Sequence, residues 1–528
     1  MTGFRTIYIV GILLGAGSLP SRPALAQPSP PDVQARIDAL DAKVRELEQQ
    51  LAAARTGHDG AEAALLLPRA TAHDAAPDPL PTTDSSAGST PTPAAPLPRT
   101  LDALEAEIGQ LAQQIKIVSR QLEIEREQAD ERAKTAPLVG AGREGFGMRS
   151  ADGAFQLRLR GFIQSDGRFY AGDAGASGVD TFLLRRVRPV LEGTLFKNVD
   201  FKLMPDFGGG TTTLQDAYVD LRFTPAVKVR AGKFKTPFGL ERLVSATELL
   251  FVERALPTAV APNRDAGVLL FGDVLEATLN YSVGVVNGVL DGASADMDDR
   301  DGKDVVARIF ALPFKASRHE RLRGLGIGIA ATSGTQRGTV IAPNLPAFRT
   351  NGQITFARYR LDTTAAGTTV ADGSHWRLSP QGYFYTGPFG VLAEYVFSSQ
   401  RVRRDIESAR LGTTAWQVAT SYVLTGEDSS YRGVTPRSAF DPSDRAWGAI
   451  ELTARVNELT LDEGAFPFFA NPAIAARNAR GWAVGANWYL NRAVKVTADY
   501  EETYFRGGDA FGDRETERDV FTRIQVGF

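Results

Sequence analysis

The chain has 528 residues, of which 43% are hydrophobic and 23% charged, and its formal net charge is -3. It contains no cysteine, which excludes small disulfide-bonded folds and thiolate metal sites. A mean hydropathy of -0.16 excludes a bundle of membrane-spanning helices but not a membrane β-barrel, because barrel strands turn every second residue toward a polar interior. The nearly balanced charge indicates no nucleic-acid partner.

The first 26 residues have the three parts of a secretory signal peptide. Arg5 precedes the apolar run TIYIVGILLGAGSL, and the small residues ALA at 24–26 follow it, which predicts cleavage after Ala26. The alternative is an anchor that stays in the mature protein. That alternative is disfavoured because the run is shorter than the about 20 residues that a spanning helix requires. We therefore expect an exported protein.

Two segments that follow the signal peptide, residues 27–54 and 101–135, carry apolar residues at alternating steps of three and four. Such heptad seams with charged flanks predict coiled-coil helices. The first seam is Val33, Ile37, Leu40, Val44, Leu47 and Leu51, and the second is Leu101, Leu104, Ile108, Leu111, Ile115, Val118 and Leu122.

Residues 55–100, between the two seams, are rich in Pro, Ala, Ser and Thr and predict a flexible linker. The helices either fold back on each other or associate between chains, and a solvated helix without a partner is the remaining alternative. The mixture of Ile and Leu in the seams is compatible with a trimer.

From about residue 140 to residue 528 the pattern changes to period-2 alternation with turns between the runs, as in FQLRLRGFIQSDGRFY and LQDAYVDLRF. The runs are about ten residues long, which suits strands that cross a bilayer at a tilt. The short connections TPA, TGPFG and LNRA contrast with the long polar connections DGASADMDDRDGKD and LTGEDSSYRGVTPRSAFDPSDR. Short turns at one end and long loops at the other predict an outer-membrane barrel, with a secreted β-sandwich or β-helix as the alternative.

The last eleven residues, RDVFTRIQVGF, form the clearest of these runs. One apolar face is predicted, and something apolar must cover it. That face holds Val520, Thr522, Ile524, Val526 and Phe528, and the other holds Phe521, Arg523, Gln525 and Gly527.

Residues 155–273 resemble the phosphate-selective porins of the O and P type in Gram-negative outer membranes. The likeness rests on GFIQSDGRFY, FLLRRVRPVLEGTLFKNVDFKLMPDFGGG, LQDAYVDLRF and GKFKTPFGLERL, and weaker similarity covers most of residues 140–528. The resemblance implies an all-β barrel of about 16 antiparallel strands in outer-membrane lipid, a homotrimer, and a periplasmic coiled-coil extension. It also implies that Phe528 is the aromatic signal by which the barrel assembly machinery recognises the chain for insertion.

Arg and Lys side chains on the inner face of a pore favour anions, and Arg suits phosphate or carboxylate oxygens in particular. The resemblance assigns the pair Arg185 and Arg186 to the pore, although strict alternation turns only one of them inward, so we predict a bulge there. It also assigns Asp220 to a position near the constriction. The predicted pore-lining residues are Arg158, Arg160, Arg185, Arg186, Arg188, Asp220, Arg222, Lys228, Arg230, Lys233 and Lys235.

Where the phosphate-specific members have a lysine shortly after GLE, this chain has Ser245, Ala246 and Thr247, so phosphate specificity does not follow from the likeness. Enzyme motifs such as a P-loop, G-x-S-x-G and H-E-x-x-H are absent from the sequence. The four histidines are scattered, and the acidic run at residues 296–301 is typical of a solvated loop rather than a Ca²⁺ site. We expect no cofactor and no metal.

The sequence therefore predicts a passive outer-membrane channel that prefers small anions of the phosphate or polyphosphate type, with loops that fold inward and narrow the bore. The alternative is a general small-solute porin whose coiled coil mainly tethers or organises the envelope.

Overall fold

The computed structural model describes residues 30–64, 100–142, 145–171, 178–297 and 301–528. These residues fall into two compact units, Met1–Ala136 and Pro137–Phe528. The predicted signal peptide and most of the predicted linker lie outside the described residues. Within the described residues, none of the helices combines the length and apolar character that crossing a bilayer requires.

The first unit contains two helices, α1 (Pro30–Ala64) and α2 (Leu101–Thr135), which pack against each other. An ion pair between Arg55 and Glu105 joins the later part of α1 to the start of α2, so the helices run antiparallel. Of the two arrangements left open by the heptads, the described chain adopts the fold-back. The buried contacts come from seam positions of both helices, namely Ile37, Leu47, Leu104 and Leu122.

Helix α1 continues past residue 54, where the predicted coiled coil ends. The reason is local, because no proline interrupts the sequence between Pro31 and Pro68 and the segment contains alanines that favour helix.

The second unit is built from strands. In chain order they are β1 (Leu138–Gly142), β2 (Gly145–Arg149), β3 (Gln156–Ala171), β4 (Thr181–Leu195), β5 (Val199–Asp206), β6 (Thr213–Thr224), β7 (Val227–Lys235), β8 (Arg264–Val274), β9 (Leu279–Val286), β10 (Asp304–Ala311), β11 (Leu325–Arg337), β12 (Ala347–Arg349), β13 (Thr355–Arg358), β14 (Val370–Thr386), β15 (Phe389–Arg404), β16 (Glu407–Val423), β17 (Ala449–Leu461), β18 (Ala476–Tyr489), β19 (Val494–Asp509), β20 (Gly512–Asp513) and β21 (Glu517–Gly527).

Sixteen of the described strands form a closed antiparallel barrel, which confirms the predicted fold. They are β3–β11, β14–β19 and β21, each paired with its neighbours in sequence order. The ring closes where β21 pairs with β3, with Val526 opposite Ile163 and Phe521 opposite Arg168. Closure leaves no free edge among these strands, so the backbone hydrogen bonds of the ring are satisfied internally.

The terminal strand has the two faces that its alternation predicts. Ile524 is 58% exposed on the outer face, whereas its neighbour Arg523 is 2% exposed inside the barrel, where it donates to Asp166 at 2.7 and 2.8 Å. Because side chains alternate across a strand, this register places Val520, Thr522 and Val526 outside together with Ile524.

One long connection lies at the end of the barrel opposite to the one predicted. The turns at 225–226, 387–388 and 490–493 define a short-turn end, and the segment 424–448 joins β16 to β17 at that same end. The predicted sorting of long loops is therefore wrong for this segment. It is tolerated there because it folds inward, where Val434 is buried against Val423, Ala449 and Tyr489.

Candidate functional site

The connection between β7 and β8, residues 236–263, folds into the barrel and is called the inner loop below. It contains a short helix α3 (Leu240–Leu243) and a turn of 3-10 helix (Leu256–Ala259). The loop is held in the lumen partly by burial of its apolar side chains, which include Phe238, Leu240, Phe251, Val252, Leu256 and Val260.

The barrel wall supplies acceptors for the backbone of the inner loop. The amide of Leu240 donates to Glu394 at 2.5 Å, and the amide of Val252 donates to Asp499 at 2.5 Å. On the strand between them, Asn457 accepts from the amide of Leu256 at 3.1 Å. These side chains satisfy backbone groups that would otherwise be buried without partners, so they set the position of the loop.

Arg455 on β17 contacts the middle of the inner loop and holds it against the barrel wall. Its guanidinium donates to the carbonyl of Glu253 at 3.0 Å, forms an ion pair with Glu501, and lies 4.2 Å from the centre of the Phe251 ring. Arg455 and Glu501 are both buried. An arginine suits this position because its planar guanidinium stacks on the Phe251 ring while its N–H groups donate in the plane to the Glu253 carbonyl and to Glu501.

The Glu253 carboxylate links the inner loop to β3 and to β4, the strand that carries the pair Arg185 and Arg186. Arg168 and Arg185 both donate to it at 2.6 Å. Burial by itself raises the pKa of Glu253, but the charges of Arg185, Arg186 and Arg168 outweigh burial and hold that pKa well below its usual range. The carboxylate therefore stays ionised and neutralises part of this arginine cluster.

The predicted bulge at the arginine pair is confirmed. Gln164 pairs with Arg186 and Ser165 with Leu184, so Arg185 is the extra residue in β4. The bulge turns both arginines inward, because Arg185 reaches Glu253 while Arg186 donates to Gln164 at 2.7 Å.

Two cavities lie on either side of the inner loop. The larger, about 1200 Å³, opens toward the short-turn end, and the smaller, about 680 Å³, opens toward the opposite end. Three residues line both cavities: Arg188, Lys235 and Arg264. We call these three basic side chains the junction of the two cavities.

Basic residues outnumber acidic ones along this path. Of the described residues, nine basic and two acidic ones line the larger cavity, and eight basic and three acidic ones line the smaller. At the junction itself, Arg188 pairs with Asp206 and Arg264 with Asp216, each at 2.7 Å.

Lys235 has a different environment from the two arginines of the junction. Its ammonium donates to the carbonyls of Leu243 at 3.3 Å and Val244 at 2.8 Å, and no carboxylate oxygen of the described residues lies within 4 Å of it. The charge of Lys235 is therefore not neutralised by a contacting acid.

Two arginines of the inner loop add to the positive charge at the junction. Burial and the neighbouring Arg254 and Arg264 lower the pKa of Arg242 to about 9. The pKa of Arg254 falls to about 10 because of burial, against the opposing effect of Glu241. Burial is the largest cause of both shifts and repulsion by neighbouring cations adds to it, so an anion at this point would favour the charged guanidinium groups.

The structure distributes the sequence-predicted residues over several places. Arg160 and Arg230 line the larger cavity, Arg185 and Arg186 line the smaller, and Arg188 and Lys235 line both. A separate cavity of about 560 Å³ is lined by Arg158, Asp220 and Arg222. Asp220 therefore lies away from the junction, and its carboxylate accepts two hydrogen bonds from Arg230 at 2.7 Å. Lys228 pairs with Asp273 at 2.9 Å and Lys233 with Asp296, outside the two cavities.

Sequence reasoning missed Arg242, Arg254 and Arg264. The first two lie on the inner loop, whose irregular backbone offers no period from which to predict an inward face. Arg264 is the first residue of β8, where alternation is not yet established. Ser245, Ala246 and Thr247, where the expected lysine is absent, do line the larger cavity.

The model of the family described as phosphate-selective porin O and P matches residues 155–506 of the chain. The chain belongs to this family. Porin O of Pseudomonas aeruginosa is 26% identical to this chain over 427 residues, which cover 74% of this chain and 93% of Porin O. Family membership makes the protein an outer-membrane porin, a passive channel and not an enzyme.

Solved structures of similar fold include the outer membrane channel DcaP of Acinetobacter baumannii, at 13% identity and a TM-score of 0.45, covering 72% of this chain and 99% of that one. An anion-selective porin from Comamonas acidovorans is 10% identical with a TM-score of 0.44, covering 71% of this chain and 100% of that one.

Proposed function

We propose that the porin is a diffusion channel that prefers anions, and that the junction formed by Arg188, Lys235 and Arg264 sets this preference. The observation that carries the proposal is that these three residues line both cavities. On this proposal an ion that moves from one cavity to the other does so beside them. An ion in the junction loses part of its hydration, and fixed charges of opposite sign offset that cost.

The net charge at the junction decides the sign of the preference. Asp206 and Asp216 neutralise Arg188 and Arg264, while Lys235, Arg242 and Arg254 contribute charge that no contacting carboxylate of the described residues cancels. The junction is bounded by polypeptide of low dielectric constant, so these charges act over several ångströms with less screening than on an open surface.

Phosphate is the permeant that the family description names. Guanidinium groups at the junction suit phosphate oxygens because they donate two parallel hydrogen bonds. The missing cation at residues 245–247 argues for a broader anion preference, so we propose preference for anions as a class with phosphate among them.

The proposal predicts the sign of the reversal potential of single channels in a KCl gradient. With the porin in a planar bilayer, we expect the potential to shift toward the chloride equilibrium potential. A shift toward the potassium value would contradict the anion preference while leaving the porin fold intact. Titrating phosphate against chloride then measures phosphate preference separately.

We also propose the arrangement of the whole chain. The signal peptide directs export, Phe528 is read by the barrel assembly machinery, outer-membrane lipid covers the outward apolar face, and the porin forms a homotrimer with the helical unit in the periplasm. The separate compact helical unit supports a distinct organising role for it.

Deleting residues 27–135 while keeping the signal peptide tests that role. Because the barrel strands pair without the helices, we expect folding and single-channel conductance to survive and envelope attachment or trimer stability to fall. Heat-modifiable gel mobility, cross-linking and conductance measure these properties. Unchanged trimers and an unchanged envelope would contradict an organising role, and the full-length chain expressed in parallel is the control.

A further inference from the structure

The wall of the larger cavity carries aromatic rings where a porin lumen is ordinarily polar. Phe162 on β3, Tyr218 on β6 and Phe271 on β8 line it, and each is half-buried, so part of each ring faces the space. Leu243 of the inner loop lines the same cavity and is also half-buried. Apolar surface left open to water is costly, which calls for a function.

Cations on this wall lie against the rings. The guanidinium of Arg230 is 3.8 Å from the centre of the Tyr218 ring and 5.1 Å from that of Phe271. Arg188 lies 5.8 Å from the Phe162 ring. The cavity therefore presents positive charge beside flat apolar surface along one side, instead of charge alone.

The arginines on this wall differ in whether a carboxylate already accepts hydrogen bonds from their guanidinium groups. Asp220 accepts both Nε and Nη2 of Arg230 at 2.7 Å, so that guanidinium offers its stacked face more than its edge. Arg308 lines the same cavity, and its Nε and Nη2 donate to the amide oxygen of Gln381 at 3.3 Å each. Its guanidinium also lies 4.6 Å from the centre of the Phe310 ring. The positive charge of Arg308 is thus not matched by a contacting carboxylate of the described residues.

The chemistry of this wall discriminates among anions. A bare phosphate gains from the N–H donors but gains nothing from rings, and dehydrating it beside them is unfavourable. An anion with a flat apolar body gains from the cations and also from contact with the rings, in offset or edge-to-face geometry. The cavity volume of about 1200 Å³ is ample for a molecule of that kind.

We propose that the larger cavity is a transit site for aromatic carboxylates, in which the carboxylate approaches Arg308 and the ring approaches Tyr218 and Phe271. This inference rests on the anion preference proposed above and specifies one class of permeant. The site holds the anion weakly, because a channel site must also release it.

Block of the single-channel chloride current by benzoate tests the inference, with acetate as the aliphatic comparison of equal charge. We expect benzoate to halve the current at a concentration about tenfold lower than acetate does, since ring contacts of this kind contribute that much. Phe271→Ala is expected to bring the two concentrations to within about twofold. Tyr170→Ala, which removes a lumen ring that does not line this cavity, is the matched control and should keep the difference.

Each outcome bears on one proposal or both. Equal potency of benzoate and acetate in a channel that prefers chloride over potassium would overturn the aromatic site alone, whereas potassium preference would overturn both proposals. If Phe271→Ala kept the tenfold difference between the blocking concentrations of benzoate and acetate, the aromatic wall would not be the site that recognises benzoate. The variant Phe271→Leu removes the ring but loses less volume than the alanine variant. Checked by heat-modifiable mobility and unblocked conductance, it keeps the test valid should Phe271→Ala fold poorly.

Discussion

Replacing Lys235 with glutamate is expected to abolish or reverse the anion preference of the channel. The substitution changes the charge at the junction by two units, and two unit charges about 8 Å apart at an effective dielectric constant of about 20 interact by on the order of 2 kcal/mol. Counterions screen part of this. We therefore expect the chloride-to-potassium permeability ratio to fall about tenfold or more, measured as the reversal potential in a KCl gradient.

The matched control for this experiment is Lys228→Glu on the same strand. Lys228 pairs with Asp273 and lines neither cavity, so the same charge change is expected to alter the permeability ratio less than about twofold. Lys235→Gln removes one charge and should give about half the shift in reversal potential. Equal effects of Lys235→Glu and Lys228→Glu would show that the junction does not set selectivity.

Arg455→Met is expected to destabilise the barrel and loosen the inner loop. The substitution leaves Glu501 buried without its ion-pair partner, removes the charge 3.7 Å from Glu241, and deletes the bond to the Glu253 carbonyl. Removing one member of a buried ion pair costs about 3–5 kcal/mol. We expect the free energy of unfolding in detergent to fall by about that amount, and the open-channel current to become noisier.

Two comparisons separate this effect from simple loss of an arginine. Arg477→Met removes a charge whose pair with Glu463 is solvent-exposed, so less than about 1 kcal/mol is expected. Adding Glu501→Gln to Arg455→Met removes the uncompensated buried charge and should recover part of the stability. No recovery would mean that the cost of Arg455→Met comes from lost packing on Phe251 and not from Glu501.

The barrel strands were predictable because their information is local. Alternation along β21 sorts Ile524 and Arg523 onto opposite faces without reference to any other part of the chain. The bulge was predicted from the family resemblance, which assigns both Arg185 and Arg186 to the pore, together with strict alternation, which turns only one of them inward. The antiparallel pairing of α1 and α2 was not, because the heptad seams are equally compatible with pairing within a chain or between chains.

The positions of the inner loop and of segment 424–448 could not be predicted from local sequence patterns. Neither segment has a hydrophobic period that marks an inward face. Both lie in the lumen because wall residues that are distant in sequence accept hydrogen bonds from them or pack against their side chains. Tyr431 of segment 424–448 donates to the carbonyl of Leu240 at 2.7 Å, so the two connections also contact each other from opposite ends of the barrel.

Strand alternation, heptads and turn residues act over a few neighbouring positions, so they were enough to predict an exported β-barrel with a helical extension and an inner face rich in arginine. Which of those basic residues meet at the junction follows from the fold as a whole. Arg188, Lys235 and Arg264 come from β4, the end of β7 and the start of β8, and they are brought together by barrel closure and by the path of the inner loop. Such contacts depend on which strands become neighbours and where a 28-residue connection finds its partners, and no short stretch of sequence carries that information.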